Sequence, residues 1–274
     1  MKDSVTNRIK SRKGAKSLKD IPEDVLDLLN QGEIETTNLI ESLAIDQEIL
    51  LENVLDDSEY GEYIEDAKIA INKLDKKTSI KCIKTIAESL FCNIKENNDL
   101  KIIHTLAAHA SDTVRSWAAY IIGLDNGGIE EKLELIKPFA EDEHYGVREI
   151  AWLSVRESII RDLEGAILTL SNWSIDENPN IRRFASESTR PRGVWAKHIS
   201  ELKEEPEIAI AILEPLKSDE SKYVQDSVGN WLNDASKTRA DWVLDLTKRW
   251  EKSSNTKETA RIIKRGLRTL NKKS

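Results

Sequence analysis

Four stretches of this 274-residue chain share one frame, and that frame restricts the fold more than any other feature. SDTVRSWAAYIIG, EHYGVREIAWLSVR, NPNIRRFASESTR and SKYVQDSVGNWLNDASK align Val114, Val147, Ile181 and Val224, which stand 33, 34 and 43 residues apart. In the first three, an arginine directly follows the aligned aliphatic residue, and a polar turn precedes each unit. A period of this length suits a pair of helices that cannot bury its apolar face alone and stacks on its neighbours.

Upstream of these units the same style holds with less repetition. IPEDVLDLLNQG opens with a proline and acids in its first turn, carries a Val25, Leu28, Leu29 stripe, and reaches Gly32 where a helix should stop. Few segments alternate with a period of two, so strands are not expected. The expected fold class is all-α, a HEAT-like helical-repeat solenoid of roughly six or seven helix pairs with a concave basic groove. Residues 1–19 are expected as a basic arm or short helix, and residues 20–274 as the repeat domain, with the recognisable motifs in about 110–270.

Charge is unevenly distributed in a chain whose formal net charge is -8. Residues 1–19 carry seven Lys/Arg against one acid, residues 20–80 carry seventeen acids against four lysines, and the last 36 residues carry eleven bases against four acids. The acidic sum argues against indiscriminate nucleic-acid binding, whereas a basic face still attracts phosphate. Two cysteines without a CxxC pair suggest a reducing compartment, and neither a signal-like nor a membrane-spanning apolar run is evident. The expected location is therefore cytoplasmic, with no membrane partner.

The densest constellation is NIRRFASESTRPRGVW, residues 180–195. Arg182 and Arg183 are adjacent and point in different directions from one helix, while Arg190 and Arg192 flank Pro191, which ends that helix. Two readings stay open: an interhelical ion-pair lattice, or a clamp for phosphate oxygens. Of the seven tryptophans, Trp117, Trp152, Trp173, Trp242 and Trp250 read as helix packing. Trp195 and Trp231 sit in polar, charged sequence where an aromatic face suits a sugar or a cationic base. Glu149 follows Arg148, and Asp234 lies three residues beyond Trp231, so both acids belong to the repeat motifs. His104, His109, His144 and His198 are dispersed without zinc-ligand spacing, and neither GxxxxGK[ST] nor GxGxxG occurs, so neither a metal nor a cofactor is expected.

The run from EHYGVREIAW through IRRFASESTRPRGVWAKHI to YVQDSVGNWLNDASK resembles the HEAT-like DNA alkylation repair superfamily, closer to its AlkC branch than to AlkD. The resemblance implies a monofunctional DNA glycosylase that hydrolyses the N-glycosidic bond of cationic N3- or N7-alkylated purines in double-stranded DNA, without an obligate protein partner. It implies catalytic roles for Glu149, Asp234, Trp195 and Trp231. It places Arg148, Arg182, Arg183, Arg190, Arg192, Lys197 and Lys237 in the DNA-facing set. RPRGVW departs from the usual RPRLPW, and NWLND from NHLND. A noncatalytic binder of bent or branched DNA is the alternative, and a protein-interaction scaffold a further one.

Overall fold

The computed structural model describes residue 9, residues 11–55, residues 60–193 and residues 195–272. Among the described residues the regular elements are sixteen α-helices and three short 3-10 turns. In chain order the helices are α1 (Glu23–Asn30), α2 (Leu39–Ala44), α3 (Gln47–Leu55), α4 (Gly61–Asn72), α5 (Ser79–Asn97), α6 (Lys101–Ala107), α7 (Asp112–Leu124) and α8 (Ile129–Ala140). They continue as α9 (Tyr145–Arg161), α10 (Leu163–Trp173), α11 (Pro179–Ser188), α12 (Ser200–Glu204), α13 (Ile210–Leu213), α14 (Lys222–Ala235), α15 (Ala240–Ser253) and α16 (Lys257–Gly266). The all-helical expectation holds.

The chain divides into two compact units: Met1–Asp125 with His144–Ile150, and Asn126–Glu143 with Ala151–Ser274. In the first unit α4 packs on α5, and both α5 and α6 pack on α7. Helix α1 ends as its sequence predicts: Gly32 adopts φ 72, and a Cβ there would meet His109 Cε1 at 2.9 Å. Of the basic stretch 1–19, residues 1–8 and 10 lie outside the described residues. Its described part is fastened, because Arg12 pairs with buried Glu41 at 2.7 Å and Asn38 Nδ2 donates to the Ala15 carbonyl at 2.9 Å.

In the second unit α8 packs on α10, α10 on α11, α11 on α14, and α14 on α16. The aligned residues Val147, Ile181 and Val224 are fully buried, followed a turn later by Ala151, Ala185 and Val228. This i, i+4 stripe is what the repeat frame predicts, and each buried aliphatic side chain contributes about 1.5–3 kcal/mol.

The residue after the aliphatic has a defined task. Arg115 donates to the carbonyls of His109 and Ala110, and Arg182 to those of Asp176 and Glu177. Gln225 does the same for Asp219 and Glu220 in the unit that lacks the arginine. In each case the carbonyls lie five and six residues back, in the turn that enters the helix. The same turns are pinned by side chains of His109, Asp176 and Asp219, which accept from the backbone N–H two residues on at 3.1, 2.8 and 2.8 Å. The repeated arginine is therefore a device for satisfying turn carbonyls. Arg148 occupies the equivalent register.

Candidate functional site

Helices α11 and α14 bring a chain of charges together inside the second unit. Arg190 donates to Asp234 Oδ2 at 2.7 and 2.9 Å and to Glu187 Oε1 at 2.7 Å. Glu187 also accepts from Ser227 Oγ at 2.7 Å and lies 3.6 Å from Arg183, whose guanidinium stacks 4.7 Å from the centre of the Tyr223 ring. Lys237 completes the set at 3.0 Å from Asp234 Oδ1. Asp234 and Arg190 are only 2% and 7% exposed. Burial pushes the Glu187 pKa up, but the charges of Arg183 and Arg190 outweigh it and hold the carboxyl below its ordinary range. Burial likewise lowers the Arg190 pKa, and Glu187 and Asp234 raise it above the ordinary arginine value.

Beyond α11 the chain forms a loop that returns to α12. The residues at the end of α11 are buried, and their free carbonyls would be unpaired without side-chain donors. Arg156 from α9 donates to Ser188 O and, at 2.5 Å, to Arg190 O, while Trp231 Nε1 donates to Thr189 O at 3.0 Å. Arg156 also reaches the far side of the loop, at Lys197 O, 3.1 Å away, and Ile199 N closes the loop on Pro191 O at 3.1 Å. Burial, then the charge of Arg190, depresses the Arg156 pKa to about 10.

At the outer edge of this loop Trp195 is 92% exposed, with backbone φ 66. A bulky residue in the left-handed region costs roughly 1–2 kcal/mol, and such conformations cluster at functional positions. Cations stand in this loop and just beyond the C-terminal ends of α14 and α16. Lys197, Lys237 and Arg268 are exposed, and partial desolvation together with the charges of Arg192, Lys203 and Arg156 lowers the pKa of exposed His198. Partial burial and the charges of Arg265 and Arg190 lower the Arg268 pKa against the opposing pull of Asp234. Arg192 is half-buried, and its Nε has no hydrogen-bond partner among the described residues.

The site residues expected from sequence thus divide. Trp231 is fully buried, with its ring 6.1 Å from that of Trp242 and its N–H spent on Thr189, so packing replaces the expected contact with a sugar. Arg183 and Arg190 are buried in internal ion pairs, and Arg182 is committed to its turn and to Asp219 at 2.6 Å. Of the two open readings of these arginines, the ion-pair lattice holds for all three. Asp234 is likewise enclosed by Arg190 and Lys237. Trp195, Arg192, Lys197 and Lys237 remain at the surface or partly so. Glu149 and Arg148 are half-buried in the segment of α9 that belongs to the first unit. Trp117, Trp152, Trp173 and Trp250 are buried as packing residues, as expected. Val194, the second of the two altered positions in RPRGVW, lies outside the described residues.

Sequence reasoning missed Arg156 and Arg268. The signal for Arg156 was present: a lone charge one turn after Trp152 and three residues before Ile159, on a buried stripe, requires polar partners. Arg268 has no comparable mark, because a cation near the end of a basic helix reads as ordinary solvation.

Residues 154–265, the part that builds this network and loop, match the family model described as DNA alkylation repair enzyme. This match to the DNA alkylation repair family lies in the C-terminal part of the chain and covers less than half of its length. Protein YhaZ of Bacillus subtilis (strain 168) is 40% identical over 144 residues, which cover 53% of this chain and 38% of YhaZ. The alkylpurine DNA glycosylase AlkC of Pseudomonas fluorescens, solved bound to DNA containing an abasic-site analogue, has a similar fold, with a TM-score of 0.66 and 24% identity. That similarity covers 94% of this chain and 66% of the AlkC chain. AlkD2 from Streptococcus mutans is similar with a TM-score of 0.53 and 24% identity, over 81% of this chain and 95% of that one. The chain therefore spans well under half of YhaZ and about two thirds of AlkC, and shares with AlkC and AlkD2 a helical-repeat fold. No helix among the described residues is long and apolar enough to cross a membrane.

Proposed function

We propose that the chain binds duplex DNA on the cationic face of its second unit and hydrolyses the N-glycosidic bond of N3- or N7-alkylated purines. The observation that carries this reading is a coincidence of place. The family match at 154–265 contains the exposed Trp195 together with Arg192, Lys197, Lys203 and Lys237, and Arg268 follows just beyond it. The lesion supplies much of the chemistry, since an alkylated purine is already cationic and leaves without protonation. The barrier lies in positive charge that develops on the deoxyribose, which an ionised carboxylate and an aromatic face stabilise.

Within this proposal Trp195 is the aromatic face on the second unit, and Glu149 is tested separately as the carboxylate expected from sequence. Asp234 acts from inside the network, holding Arg190 and Lys237, and does not itself reach the sugar. The decisive experiment measures release of 3-methyladenine and 7-methylguanine from methylated duplex DNA. The expected result is release by the wild-type chain and its loss in Glu149→Gln; no release above background at micromolar protein ends the glycosylase reading.

A second reading is favoured by the enclosure of Asp234, which already has two cationic partners. On that reading the chain binds distorted DNA without cutting. It requires tight binding with no base released, and an affinity whose logarithm falls by roughly 0.9 for each phosphate contacted per tenfold rise in salt.

A further inference from the structure

We propose that Arg156 is a positioning residue that fixes the orientation of Trp195 before any ligand arrives, a role that rests on the reading of Trp195 as the sugar-facing aromatic. Arg156 is 2% exposed, yet among the described residues its hydrogen bonds go to three backbone carbonyls and to no carboxylate. The three carbonyls bracket the loop: Ser188 and Arg190 precede Trp195, and Lys197 follows it. One planar guanidinium therefore ties both limbs of the loop to the same point on α9. Lysine cannot copy this, because its charge sits on a single nitrogen whose three donors do not form a fixed fork.

The loop also rests on this support. A Cβ placed on Gly193 would lie 3.6 Å from Arg156 Nη2, 3.6 Å from Trp152 Cζ3 and 3.3 Å from Ala196 Cβ. A Cβ here would be in ordinary contact with Arg156 and Trp152 and tight only against Ala196, whereas the further atoms of a branched side chain would press on Arg156 and Trp152 and lift the backbone. Trp195, two residues on, holds a left-handed backbone conformation that a free loop would abandon.

The test uses the full chain labelled with 5-fluorotryptophan, whose seven tryptophans give separate fluorine resonances, with Trp195 assigned through Trp195→Phe. Without DNA, Arg156→Lys is expected to move the Trp195 resonance toward that of free 5-fluorotryptophan and to leave the other six in place. Under single-turnover conditions the same variant is expected to release alkylated bases about tenfold more slowly, with DNA affinity unchanged, since the positive charge is kept. A Trp195 resonance at its wild-type position in folded Arg156→Lys overturns the proposal, as does an unaltered release rate from a wild type that releases bases. If Arg156→Lys does not fold, the measurement passes to Gly193→Val, which leaves the guanidinium intact and lifts the loop. The expected displacement of the Trp195 resonance is the same, and an unmoved resonance there overturns the proposal. The two readings fail separately: a wild type without base release removes the glycosylase function, whereas the DNA-free spectra judge the clamp.

Discussion

Residues 182–190 and 192–198 are neighbours in one motif, and the structure uses them in opposite ways. The first segment turns inward: Arg182, Arg183 and Arg190 each have carboxylate partners, and Glu187 lies between two of those arginines. The second turns outward and displays Trp195, Lys197 and His198. Arginine density therefore marks where the repeats are joined, and the charge left at the surface comes mainly from residues in less conspicuous sequence.

Breaking the inward segment has the largest expected effect. Arg190→Met leaves Glu187 and Asp234 buried without their shared cation and is expected to cost about 3–5 kcal/mol, measured as a fall in the urea midpoint. If the cost is under about 1 kcal/mol, the pairs are not coupled to packing and the contrast between the segments disappears. The same network sets an acid limit. The folded pKa of Glu187 is depressed, so its contribution is fully present above the ordinary glutamate value and is lost as pH falls through the folded value. Wild-type stability is expected to decline below about pH 4.3 more steeply than that of Glu187→Gln, as followed by thermal unfolding across pH 3–6.

The outward segment should respond in the reverse sense. Trp195→Ala removes an almost fully exposed ring, so unfolding free energy should change by no more than about 0.5 kcal/mol. Base release should nevertheless fall about tenfold through the lost interaction with the sugar charge. A variant that loses stability but keeps release would assign Trp195 to the fold. A modest effect is expected where the fourth repeat already supplies the answer. Arg182→Gln should keep the turn carbonyls satisfied as Gln225 does, and lose only the Asp219 pair, for about 1 kcal/mol by denaturant titration.

These differences explain what the sequence could and could not disclose. The repeat frame was legible because Val114, Val147, Ile181 and Val224 obey local helical geometry and are all fully buried. The meaning of the following arginine was not, because its task concerns carbonyls rather than side chains, and only the substitution by Gln225 separates that task from charge. Trp195 and Trp231 have similarly polar surroundings in sequence, yet one is 92% exposed and the other 0%. Neighbouring helices decide that contrast: the loop leaves Trp195 behind, while the α11 terminus caps Trp231. Asp234 was likewise recognisable as a motif residue, but its partner Arg190 is 44 residues away, a distance no helical periodicity encodes.

The interval between Ile181 and Val224 is longer than the two before it, and the loop carrying Trp195 occupies part of the surplus. Because Arg182 and Gln225 complete the turns on either side from within their own repeats, the insertion does not have to carry the stacking of helices across it. The scaffold and its displayed loop are thus separable modules: loop length and tip residues are free to vary while the register of the repeats stays constant, provided the anchoring carbonyls remain where α9 can reach them.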